Sequence, residues 1–134
     1  MKSEELFSNN NMFSHKIYLA RKMKRISLKE VAKAVGISAM YLSELERKKI
    51  VPDDDLVVKL ADCFGYKKEE LQQTVKDEFM VDVIRYGKNI DFNFFSNAVK
   101  RNSGIRDMVN QWISDGVQIM IANKLGYKDE KEVQ

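Results

Sequence analysis

Apolar positions in this chain return every three or four residues through most of its length, the step that gathers side chains on one face of an α-helix. Residues 1–14 lack that pattern. They are polar, with Asn9, Asn10 and Asn11 in a row, and read as a flexible tail in which Phe7, Met12 and Phe13 can dock only if something receives them. From 15 to 25 a basic helix keeps Ile17, Ala20 and Lys24 on one side. Ser27 with Glu30 three residues later is a capping box, which starts a second helix with the stripe Leu28, Val31, Ala32 and Val35. Gly36 ends that helix where a left-handed residue is needed. Ser38 caps a third helix, with Leu42 and Leu45 turned inward. Pro52 and the acids Asp53, Asp54 and Asp55 open a fourth, because carboxylates in a first turn complement the helix dipole. It carries Leu56, Val57, Leu60, Ala61 and Phe64 and stops at Gly65.

The second half repeats the helical period less cleanly. A long helix starts near Glu69, with Leu71, Val75, Phe79 and Val83 four apart. Gly87, Lys88 and Asn89 make a turn, and Asp91 caps a helix bearing Phe92, Phe95, Ala98 and Val99. A break is expected over Asn102, Ser103 and Gly104, and then a helix with Ile105, Met108, Val109, Trp112 and Ile113. Asp115 and Gly116 either interrupt that helix or are crossed by it. The β-branched run at 117–121 suits a strand, but no partner strand is evident and helix is favoured. Gly126 ends the pattern. The expected fold is all-α: a helical domain over 15–68, a small helical region over 69–126 and a tail over 127–134.

Composition narrows the class. With 44% apolar and 32% charged residues the chain is globular rather than disordered. No basic start with a long apolar run occurs in the first fifteen residues and no stretch reaches a membrane span, so an intracellular, cytoplasmic protein is expected. The one cysteine, Cys63, lies in an apolar helical pattern and reads as a buried, inert thiol. The one histidine, His15, allows neither a His-based triad nor a multi-His metal site, and there is no Gly-rich phosphate loop. No enzyme, no cofactor and no metal is expected.

Charge singles out one region. Residues 16–68 hold 13 Lys and Arg against 7 Asp and Glu, a net +6, whereas residues 69–134 hold 9 against 11, a net −2. Two short helices joined at Gly36, the second capped by Ser38 and followed by Arg47, Lys48 and Lys49, have the form of a helix-turn-helix. The basic half is therefore the half whose pattern suits DNA, and neutralising phosphate is the dominant contribution to DNA affinity.

The words SLKEVAKAVGIS, YLSELER and the Pro-plus-acid helix start closely resemble the phage repressor and Cro type of helix-turn-helix domain, also called the xenobiotic-response-element family. The likeness covers roughly residues 13–75. It implies a compact five-helix bundle whose third helix, about 39–47, enters the major groove. By position it assigns base reading to Ala39, Met40, Ser43 and Glu44. It assigns phosphate contacts to Lys24, Arg25, Ser27, Tyr41, Arg47, Lys48 and Lys49, with Tyr41 equally able simply to pack. Arg21 and Glu46 take the positions of an internal ion pair between the first and third helices. The sequence departs from the pattern at Lys48, where similar domains often have Gly, so either the helix runs on or Lys48 adopts a turn conformation.

The resemblance further implies a repressor that binds double-stranded DNA as a homodimer, with residues 69–126 as the pairing region. A private core within one chain explains their apolar rows equally well. A third reading places Phe92, Phe94, Phe95 and Trp112 around a groove for a protein or peptide regulator, although aromatics at helical spacing are more often core. The alternative function keeps the fold and binds protein instead, as an antitoxin or scaffold adaptor does.

Overall fold

The computed structural model describes residues 12–124, with side chains described to residue 116. The expected tails over 1–11 and 127–134, and the stop at Gly126, lie outside the described residues. Among those described, the chain is all-helical: α1 (Phe13–Met23), α2 (Leu28–Val35), α3 (Ala39–Glu46), α4 (Asp54–Phe64), α5 (Lys68–Tyr86), a short 3-10 turn (Gly87–Asn89), α6 (Phe92–Arg101) and α7 (Ser103–Lys124). The backbone stays helical across Asp115, Gly116 and the run at 117–121, so no strand forms there.

One device starts most of these helices. A short polar side chain just outside the helix accepts a hydrogen bond from an amide that has no partner within the helix. Ser27 Oγ takes the Glu30 amide at 3.1 Å, Ser38 Oγ the Tyr41 amide at 3.0 Å and Asp53 Oδ1 the Leu56 amide at 2.8 Å. Asp91 Oδ1 takes the Phe94 amide at 2.9 Å and Asn102 Oδ1 the Ile105 amide at 3.1 Å. The break expected over Asn102, Ser103 and Gly104 therefore shrinks to Asn102 alone, because its side chain restarts the helix at once.

The apolar stripes meet in one core that runs through both halves. Ile17, Val31, Val35, Leu42, Leu45, Leu60 and Ala61 are buried with Leu71, Val75, Phe79, Ala98 and Ile105. The α5 row departs from the expected one in a single place: Val81 is buried and Val83 is only partly so. Met12 and Phe13 are buried too, and α1 begins at Phe13, ahead of the expected start at 15. The chain's own core receives them. Cys63 is half-buried against that core rather than enclosed by it.

The C-terminal helices are fastened by a buried polar hub. Asn102 is fully buried, its Nδ2 donating to the Pro52 carbonyl at 3.0 Å and to Gln72 Oε1 at 3.2 Å. Gln72 Nε2 donates back to Asn102 Oδ1 at 2.5 Å. Gly104 leaves room for this pair, since a Cβ there would lie 2.1 Å from Gln72 Nε2 and push that amide out of its present position. Three of the four aromatics expected to ring a groove are spent on packing. Phe94 stacks on Phe79 with ring centres 6.1 Å apart, Phe95 packs against it at a tilt with centres 5.4 Å apart, and Trp112 leans on the core. Phe92 alone stands out, 78% exposed.

Candidate nucleic-acid interface

α2 and α3 are short, and their relative placement is set by the turn between them. Gly36 adopts φ +76°, and the Ile37 amide reaches back to the Ala32 carbonyl at 2.9 Å while the Gly36 amide takes that of Lys33 at 3.3 Å. This paired closure is a Schellman motif, and a residue without Cβ enters its left-handed position at no steric cost. Ser38 then caps α3 at once. Leu42 and Leu45 are the only fully buried side chains of α3, so they fix which face looks inward.

The opposite face carries Met40, Ser43, Glu44 and Arg47. Met40 is 72% exposed and Arg47 is exposed, with Ser43 and Glu44 partly so. Ala39 lies at the edge, packed against the core. Among the described residues this face stays open at its N-terminal end: Met40 is among the most exposed large apolar residues.

Two basic turns flank α3, and one ion pair ties them together. Arg21 Nε and Nη2 grip Glu46 Oε2 and Oε1 at 2.9 and 3.0 Å, and Nη1 donates to the Ile26 carbonyl at 3.2 Å. Both side chains are only 8% exposed. The hydrogen bonds to Glu46 hold the Arg21 guanidinium above its ordinary pKa. Because Arg21 also binds the α1–α2 turn, Lys24 and Arg25 are pinned beside the end of α3, where Arg47, Lys48 and Lys49 follow Glu46. Ser27, exposed at the start of α2, stands on the same turn.

Both turns close as Schellman motifs, but neither uses glycine. Arg25 has φ +56° and Lys48 φ +64°. The Lys49 amide bonds the Glu44 carbonyl at 2.9 Å and the Ile26 amide that of Arg21 at 3.1 Å. Of the two outcomes open at Lys48, the turn conformation is the one adopted. A left-handed non-glycine residue costs about 1–2 kcal/mol.

Four of the expected phosphate contacts already have intramolecular partners. Ser27 Oγ accepts from the Glu30 amide and donates to Glu30 Oε1 at 3.3 Å, and Arg47 Nε donates to the Ser43 carbonyl at 3.4 Å. Lys48 Nζ lies 3.8 Å from Glu78 Oε1, and the Tyr41 hydroxyl accepts from Arg101 Nη2. Glu78 also accepts from the Ser14 hydroxyl, and burial pushes its carboxyl up to about 6 despite Ser14 and Lys48. Burial likewise raises the neighbouring Asp82. Lys24, Arg25, Arg47 and Lys49 remain exposed to solvent. Neither Arg101 nor Glu78 was legible as a neighbour of α3. Each is more than 30 residues from α3 in sequence, and no spacing rule links an α6 terminus or an α5 face to that helix.

Among the described residues no group of acidic, cysteine and histidine side chains is arranged to hold a metal ion, and no helix is long and apolar enough to cross a membrane.

No curated protein and no solved structure matches the chain. Residues 17–71 match a family model described as Helix-turn-helix. The match enters within α1, spans α2, α3 and α4, and ends in the first turn of α5, which is less than half of the chain. It supports a helix-turn-helix DNA-binding family for this segment, with α2 and α3 as its central pair.

Proposed function

We propose that the protein is a sequence-specific transcriptional regulator of the phage repressor and Cro type, acting as a dimeric repressor. The observation that carries this reading is the free outer face of α3, open at Met40 and bordered by two basic turns. Ala39, Met40, Ser43 and Glu44 are the base readers. Ala39 and Met40 offer only apolar contact, suited to a thymine methyl, Ser43 is tolerant, and Glu44 can accept from a cytosine amino group. No arginine stands on the reading face ahead of Arg47, so sequence-dependent shape and backbone contacts carry much of the discrimination.

Lys24, Arg25, Arg47 and Lys49 hold phosphate, joined by Ser27 and Lys48 to the extent that they release their present partners and by the Tyr41 hydroxyl, which accepts from Arg101 and keeps its own hydrogen to donate. The two left-handed residues support this. Glycine would relieve the strain at both turns, yet both positions carry a basic side chain, as expected where that side chain is needed for binding. A single helix-turn-helix covers about half of an operator, so two copies pair across half-sites roughly 34 Å apart. The exposed Phe92, Ile113, Ile84 and Tyr86 of the C-terminal helices are the apolar residues left over for that contact.

Selection of bound duplexes from a random pool by the full chain tests the reading. It predicts a palindromic motif whose binding weakens as salt is added. Recovery of no motif, with binding indifferent to salt, contradicts it and favours a protein-binding role for the same fold.

A further inference from the structure

Arg101 ends α6, well outside the matched segment, yet its guanidinium lies against α3. Its Cζ sits 5.6 Å from the centre of the Tyr41 ring, and Nη2 donates to the Tyr41 hydroxyl. Nη2 also approaches Asp53 Oδ2 at 3.8 Å. Both contacts use the same nitrogen. The Nε hydrogen and both Nη1 hydrogens make no hydrogen bond among the described residues, and the side chain is 37% exposed.

From this we propose that Arg101 is a further DNA phosphate-binding residue, by which the C-terminal half extends the interface of the helix-turn-helix. The inference rests on the regulator reading given above. Tyr41 follows Met40, the most exposed base-reading position, so a cation fixed on Tyr41 stands at the border of the reading face. A shallow groove of about 320 Å³ lies there, lined among others by Gly36, Ile37, Ser38, Tyr41, Lys59 and Arg101. A planar guanidinium with unused donors is well matched to phosphate oxygens, and the neutral Tyr41 hydroxyl orients it without cancelling its charge.

Asp53 and Asp55 also line the groove. Asp55 pairs with Lys59 at 2.9 Å, and Asp53 already spends Oδ1 on capping α4. Two acids against two bases leave the groove near neutral, so it does not collect free phosphate. The contact forms when the basic turns have seated a duplex and its backbone is held beside Arg101.

The test uses the full chain and its selected duplex in a salt titration followed by fluorescence anisotropy. Each phosphate contact contributes about 0.9 to the slope of log affinity against log salt. R101Q is expected to lower that slope by about one such contact and to weaken binding about 3–10-fold at low salt on every sequence alike. R101K, which keeps the charge but not the planar fork, is expected to restore the slope. K49E serves as the reference for the phosphate contacts proposed for the basic turns. A wild-type slope in R101Q, with K49E still shallower, overturns the Arg101 contact and leaves the regulator reading standing. A lowered melting temperature in R101Q without a change in slope also overturns it, since a purely structural brace acts that way. Salt-independent binding by the unaltered chain overturns both.

Discussion

The two flanks of α3 are braced by arginines in different states. On the α1 side Arg21 is buried, grips Glu46 through two nitrogens and donates a third bond to the Ile26 carbonyl. On the α6 side Arg101 is half-exposed, touches Tyr41 and Asp53 through one nitrogen and makes no further hydrogen bond among the described residues. The first engages all three of its nitrogens within the fold and is closed off from solvent. The second holds little and has donors to spare. Burial and the number of nitrogens engaged, rather than charge, separate a structural arginine from one available to a ligand.

The sharpest way to break that contrast is to remove each brace in turn. Glu46→Ala leaves Arg21 buried without its carboxylate and is expected to cost about 3–5 kcal/mol in urea unfolding. Arg101→Gln, at a half-exposed pair, is expected to cost less than about 1 kcal/mol. Equal costs would mean that the two flanks do the same work. Next in size is Asn102→Ala, which strands the Pro52 carbonyl and the Gln72 amide and removes the cap of α7. A loss of about 2–3 kcal/mol is expected, measured the same way.

Glu78 sharpens the comparison through pH. Its carboxyl is raised to about 6 by burial, from an ordinary value of 4.5. A raised carboxyl stabilises the fold in its protonated form, so its contribution is complete below about pH 4.5 and is lost as pH rises through 6. Glu78→Gln is therefore expected to raise stability at pH 7.5 by roughly 1–2 kcal/mol and to change it little at pH 4.5. Thermal melts at both values check this. The same stabilisation at both would show that Glu78 is ionised throughout.

Smaller effects concern the turns. Arg25→Gly relieves a left-handed arginine and should stabilise the chain by roughly 0.5–1 kcal/mol while weakening DNA binding. Melting temperature and anisotropy on one sample read both quantities, and a gain in both would remove the argument from strain. Met40→Ala should leave stability within about 0.5 kcal/mol and alter base preference at one or two positions, read by repeating the selection.

What could be read from residues alone was whatever is local. Ser27, Ser38, Asp53 and Asp91 announce helix starts because their side chains act within three residues, and Gly36 and Gly65 announce ends because their backbone conformation is their own. Contacts made by docking left no such trace. Arg101 to Tyr41, Ser14 to Glu78 and Asn102 to Pro52 each join residues 50 or more apart. The turn at Lys48 stayed open for a related reason: its left-handed backbone is imposed by the closure onto Glu44 and Leu45, against the preference of the residue itself. Asn102 read as part of a loop because an asparagine usually marks one, and only the docked Pro52 and Gln72 make it a buried hub.

The central claim is that the outer face of α3 meets the bases. A photo-crosslinking residue placed at position 40 of the full chain, irradiated with the selected duplex, tests it directly. Crosslinks to bases within the motif are expected from position 40, and none when the same probe stands at position 92. Crosslinking from position 92 but not from position 40 would show that another surface holds the DNA.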